Sequence, residues 1–125
     1  MIHLDTHVIA WLYQGHVQLI PAPVRALLEE HDLAMSPMAG LELRYLFEID
    51  RVSVPEDVVL AYLARKTGLS VDPTPFADVV ACATSLDWTR DPFDRLIVGQ
   101  AMAAGAPLIT KDLRIREHFP QATWD

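Results

Sequence analysis

Residues 1–4 form a short, mostly apolar run that stops at Asp5-Thr6, and the apolar series Val8, Ile9, Trp11 and Leu12 begins at once. A run this short, joined without a linker to residues at helical spacing, reads as a buried strand feeding a helix start. The order recurs: Leu33 to Met35 runs into Ser36-Pro37, and Leu108-Ile109 runs into Thr110-Lys111-Asp112. Strands that are apolar without alternation and separated by helices require a parallel sheet covered on both faces. Such a sheet presents ligand-bearing groups at the carboxyl ends of its strands.

The remaining segments fill in that frame. Gly15 and the prolines at 21 and 23 break the chain before a helix from about Ala22 to His31, with Val24, Leu27 and Leu28 on one face. Ser36 as a cap and Pro37 in the first turn predict a helix to about Asp50, with Leu41, Tyr45, Leu46 and Ile49 as its apolar stripe and Glu42 beside it. Ser53-Val54-Pro55-Glu56 resembles another helix start, with Val58, Val59, Tyr62 and Leu63 as the buried stripe and Gly68 as the stop. A brief strand over 69–71 and a helix over 76–86 follow. Asp91-Pro92 opens a helix to about Ala104, in which Leu96, Ile97, Gln100 and Ala101 form a contiguous surface. A short helix near 113–118 and a last strand near 122–124 complete the chain.

With 125 residues and 51% apolar composition the chain fits a single compact domain. One cysteine, Cys82, excludes a disulfide within the chain and suits a reducing compartment. No signal-like opening or apolar run of membrane-spanning length is present, so a cytoplasmic protein without membrane association is expected. The net charge of -7 argues against a broad basic face that grips duplex nucleic acid. It does not argue against a nuclease, because acids gathered in one cleft bind cations that reverse the local field. Neither a Gly-rich nucleotide loop nor a Walker motif occurs, and the alternation of strands and helices is too short for a flavodoxin-like fold.

Asp5 and Asp112 fall at the ends of strand candidates, while Glu42 and Asp94 lie in the first halves of helices that approach the same sheet edge. Four oxygen ligands from remote stretches can then meet around magnesium or manganese. Each has an ordinary alternative: Asp5 or Asp112 as a helix cap, Glu42 as a solvated helix residue, and Asp94 as a first-turn acid favoured by the helix dipole. Asp91 is the more obvious cap of its helix. The histidines His3, His7, His16, His31 and His118 make no zinc pattern. Trp11, Trp88 and Trp124 have packing as their ordinary role, ahead of base stacking.

LDTHVIAW at residues 4–11 resembles the opening of PIN-domain VapC toxins, and RDPFDRLIVGQAMAAGAPLITKD at residues 90–112 is similar to a longer signature of one large branch of them. The resemblance implies a three-layer α/β/α fold with a central, mainly parallel sheet, residues 1–125 forming one PIN domain. It implies a magnesium-dependent endoribonuclease, with manganese as a substitute, that acts as the toxin of a toxin-antitoxin pair, with RNA as substrate, a cognate antitoxin as partner and usually a homodimer. Asp5, Glu42, Asp94 and Asp112 match the family's acidic positions, catalytic and metal-binding. Thr6, Asp91 and Thr110 match supporting positions.

Water as the nucleophile implies products with 5'-phosphate and 3'-hydroxyl ends. Arg44, Arg95 and Lys111 are candidate contacts to the RNA backbone, with a surface ion pair as the ordinary role of Arg95. The apolar surplus along Leu41, Tyr45, Leu46 and Ile49 is a surface for a dimer or antitoxin to cover. The sequence departs from the branch at Gly40 and Leu41, ahead of the helix-borne acid, and in having Arg44, Tyr45, Leu46 and Phe47 where a lysine often follows. Two other readings share the scaffold: a PIN nuclease of RNA processing or DNA metabolism, and a non-catalytic PIN domain that binds proteins.

Overall fold

The structure is a computed structural model that describes residues 1–125. Five short strands, β1 (Ile2–Leu4), β2 (Leu33–Met35), β3 (Ser70–Val71), β4 (Leu108–Ile109) and β5 (Ala122–Thr123), make one sheet of order β3-β2-β1-β4-β5. Every neighbouring pair is parallel. Helices α1 (Thr6–Gln14), α2 (Ala22–Glu30), α3 (Pro37–Glu48), α4 (Glu56–Thr67), α5 (Phe76–Thr84), α6 (Pro92–Ala104) and α7 (Leu113–His118) complete a three-layer α/β/α domain.

The three central strands are buried along their whole length, as their uninterrupted apolar sequences require. The edges differ: both residues of β3 are exposed and both of β5 are half-buried, so the sheet ends in strands of two residues. Short edges offer little backbone for pairing with another chain. The core gathers Leu4, Val8 and Ile9 with Ile97, Val98, Leu108 and Ile109, all essentially inaccessible.

Two helical stripes differ from expectation. On α3 the buried residues are Ala39 and Leu43, whereas Leu41, Tyr45 and Ile49 are exposed. Apolar residues occupy both faces of this helix, so spacing alone did not say which one the core takes. On α4 Val59 and Leu63 are buried but Val58 is exposed, and the helix starts after Pro55 without a side-chain cap. A 3-10 turn at Val17–Leu19 between α1 and α2 was not foreseen, and α5 ends two residues before Leu86.

At Gly99 the small-residue run of α6 meets α5 closely. A Cβ there would lie 3.0 Å from both the Ala83 methyl and the Val79 carbonyl, so any larger residue would push α5 and α6 apart by a few tenths of an ångström. That contact fixes α6, and with it Asp94, against the rest of the helical layer.

Candidate metal centre

Parallel pairing of β1 with β4 sets Leu4 opposite Ile109, and the Asp5 amide donates to the Ile109 carbonyl at 3.0 Å. The residues one step beyond each strand therefore stand side by side. The Thr110 hydroxyl donates to Asp5 Oδ2 at 2.6 Å, and the Thr6 amide donates to Asp5 Oδ1 at 2.8 Å, which also caps α1. Asp5 is 7% exposed with both oxygens held, so its direction is set before any ligand arrives. The Thr110 hydroxyl also accepts from the Asp112 amide at 3.0 Å, and Asp112 Oδ1 caps α7 through Ile115 at 2.9 Å.

Two helices deliver the other acids. Ser36 caps α3 by accepting from Met38 at 3.0 Å, and Asp91 caps α6 by accepting from Phe93 at 2.8 Å and Asp94 at 3.4 Å. Each helix has proline in its first turn. Capping and dipole thus set where α3 and α6 begin, and place Glu42 and Asp94 at a fixed number of residues beyond. A buried polar chain ties the two helices together: Ser36 Oγ donates to Gln100 Oε1 at 3.2 Å, and Gln100 Nε2 donates to Asp72 Oδ2 at 2.5 Å.

The result is a cleft of about 470 Å³ lined by Asp5, Glu42, Asp91, Asp94 and Asp112. Opposite chemistry comes from His7, Trp11 and Lys111, and Trp11 is the sole apolar residue of the lining. Burial raises the carboxyls of Asp5 and Glu42 above their ordinary range. For Asp5 the Thr110 and Thr6 donors offset part of that rise. Asp94 is pushed up to about 7, first by burial and then by repulsion from Asp91, Asp5, Asp112 and Glu42. The Thr6 hydroxyl is buried with no partner at hydrogen-bond distance, although it lies near enough to Glu42 to favour its ionised form.

All four sequence-predicted acids and Asp91 therefore share one cleft, with Thr6 and Thr110 beneath them. As the side chains stand, no three of them close on a common point at ligand distance. The four predicted acids offer carboxylate oxygen, a donor chemistry that suits magnesium or manganese. Repulsion among the carboxylates opposes their closer approach.

Of the three predicted backbone-contact cations, only Lys111 lines the cleft. Arg44 is engaged by Glu56 through Nε at 2.8 Å and a terminal nitrogen at 3.1 Å. Arg95 Nε donates to the Leu86 carbonyl at 2.9 Å, not to the acid partner expected for a surface pair. Sequence reasoning missed His7 and Trp11 as cleft residues. Their four-residue spacing on α1, directly after Asp5, was the available signal.

The PIN domain family model matches residues 2–118. The chain belongs to the PIN-domain family. It is 32% identical over 120 residues to Ribonuclease VapC22 of Mycobacterium tuberculosis, covering 92% of this chain and 89% of that one. Its fold is similar to chains in the crystal structure of VapBC2 from Rickettsia felis bound to a DNA fragment from their promoter, with TM-score 0.66, 19% identity and 100% of both chains covered. It is likewise similar to a chain of a toxin-antitoxin complex from Klebsiella pneumoniae, with TM-score 0.69, 16% identity and 98% and 96% covered. These two likenesses carry the fold, and the nearer sequence likeness carries the VapC-type membership. No helix of this PIN domain is long and apolar enough to cross a membrane.

Proposed function

We propose that this PIN domain is a magnesium- or manganese-dependent endoribonuclease that acts as the toxin of a toxin-antitoxin pair. The observation that carries the reading is the convergence of Asp5, Glu42, Asp94 and Asp112 in one cleft, with Asp94 raised to about 7 first by burial and then by its acidic neighbours. Five acids gathered in one cleft with Lys111 as the single cationic side chain are costly, and a divalent cation would offset that cost. The kinship with a ribonuclease of VapC type supports RNA as the substrate and an antitoxin as the partner.

Asp5, Glu42 and Asp94 would hold the ion, with Asp112 beside them, and the chemistry such an ion supplies is activation of water and neutralisation of charge on the departing oxygen. The chain's own residues prepare that chemistry. Thr110 and the Thr6 amide hold Asp5 in one orientation, Asp91 fixes the first turn that bears Asp94, and Lys111, which lines the cleft, would meet an entering phosphate. The buried Thr6 hydroxyl, lacking a partner, is available to orient a carboxylate or a water.

The test is incubation of the purified protein with a defined set of RNAs, with and without each metal, beside Asp5→Asn. Cleavage that needs metal, vanishes in the variant and leaves 5'-phosphate and 3'-hydroxyl ends is expected. Cyclic 2',3'-phosphate ends or metal-independent cutting would reject the mechanism, and preference for DNA would point to a PIN nuclease of another kind.

A further inference from the structure

The acidic wall of the cleft explains how a cation is held but not how RNA stays there. Lys111 is the single cationic side chain lining the cleft of a protein of net charge -7, so side-chain contacts to phosphates contribute little hold of their own beyond that of a bound ion. The opposite wall has a different character. His7 and Trp11 lie one helical turn apart on α1 and both face the cleft, with ring centroids 6.3 Å apart. Lys111 Nζ lies over the Trp11 ring, 5.6 Å from its centroid. Trp11 also packs against Trp124, with centroids 5.7 Å apart and the rings tilted by 55°, and Trp124 is 7% exposed and part of the core.

Trp11 is thus held against a core tryptophan by a tilted ring contact and presented, half-buried, to the cleft. An indole restrained in this way is a platform of fixed place, and stacking on it carries no charge. Lys111 resting on the ring is exposed, and a contact of this kind is weak at an exposed site. The ammonium is therefore free to exchange the ring for a phosphate.

We infer that Trp11 is a stacking site for an unpaired nucleobase next to the phosphodiester to be cut, with Lys111 moving from the indole to the neighbouring phosphate as RNA enters. The inference rests on the proposed nuclease reading and names the substrate as single-stranded or looped RNA, because a paired base has no free face to offer. Stacking tolerates any base, so the site contributes hold and position and not a sequence code. Because the contact is uncharged, its loss weakens binding equally at low and high salt, whereas loss of Lys111 reduces the salt dependence.

The experiment has two arms. In the first, labelled single-stranded RNA is cleaved by the unsubstituted protein, Trp11→Phe, Trp11→Leu and Lys111→Gln, with melting of each followed in parallel. Trp11→Leu is expected to raise KM about tenfold or more, with a smaller effect on kcat, and Trp11→Phe to recover most of the loss. In the second, indole fluorescence is followed in magnesium with adenosine 5'-monophosphate and with ribose 5-phosphate. Quenching by the nucleotide only, lost in Trp11→Phe, is the expected result. An unchanged KM in folded Trp11→Leu, or equal quenching by ribose 5-phosphate, would overturn the stacking site. Absence of cleavage by the unsubstituted protein would strike the nuclease reading instead, and the fluorescence arm then decides the stacking site by itself.

Discussion

Asp72 and Asp94 are both acids drawn out of bulk water in this small domain, and they are treated in opposite ways. Asp72, just past β3, would be raised by burial, but the Thr74 and Gln100 donors together with His3 lower it below its ordinary range. Gln100 donates at 2.5 Å, the Thr74 amide at 3.2 Å, and His3 Nε2 lies 3.8 Å away. Asp94 has no comparable donors and four carboxylates around it, and it rises to about 7. A buried acid with its own donors is stable in its ionised form. One surrounded by other acids is held towards its protonated form.

The largest effect expected from this contrast is on activity. Asp5→Asn or Asp94→Asn should reduce RNA cleavage by more than about 100-fold, since even residues that only support metal ligands cost about 10–100-fold. Asp72→Ala should leave the protein active while it remains folded, as judged by initial rates well below the melting midpoint.

Stability should respond in the reverse order. Asp72→Ala strands the Gln100 amide and should cost about 1–3 kcal/mol in denaturant unfolding. Asp94→Asn should instead raise the melting midpoint of the metal-free protein at pH 8, because it removes a repelled charge. A fall in that variant would mean that Asp94 has a donor of its own.

The pH dependence separates the two acids further. Between its ordinary value of 3.8 and about 7, Asp94 holds a proton in the folded chain that the unfolded chain has released. Stability of the metal-free protein therefore falls as pH rises through that window, and Asp5 and Glu42 act in the same direction. Asp72 works oppositely: its contribution is present above its ordinary value of 3.8 and is lost as pH falls through its lowered one. Melting midpoints across pH in Asp94→Asn should show a flatter profile near neutrality than in the unsubstituted protein.

A smaller effect belongs to Thr110→Val, which keeps the shape but removes the hydroxyl that holds Asp5. About 10–100-fold weaker metal-dependent cleavage is expected, with little change in melting measured in metal.

Much of this site was legible in the sequence because its parts are local. Asp5 after β1, Asp91 before α6 and Asp112 after β4 stand at strand ends and helix caps, where a few neighbouring residues dictate the backbone. The strand-helix alternation likewise specified the parallel sheet. What escaped depends on choices between equivalent faces or on distant partners. Leu41, Tyr45 and Ile49 hold helical spacing as well as Ala39 and Leu43 do, and only packing against α4, α6 and α1 decides which set is covered. The link between Asp72 and Gln100 joins residues 28 apart in sequence and exists only once β3 and α6 are in place. Arg44 looked free because Glu56, its partner, lies on another helix.

The central claim is that the cleft acids are held ready for a divalent cation, and thermal melting at pH 8 and low ionic strength tests it most directly. Added manganese or magnesium should raise the midpoint of the unsubstituted protein with concentration, and should do so far less in Asp94→Asn. An unchanged midpoint in the former, or an equal rise in both, would contradict the account.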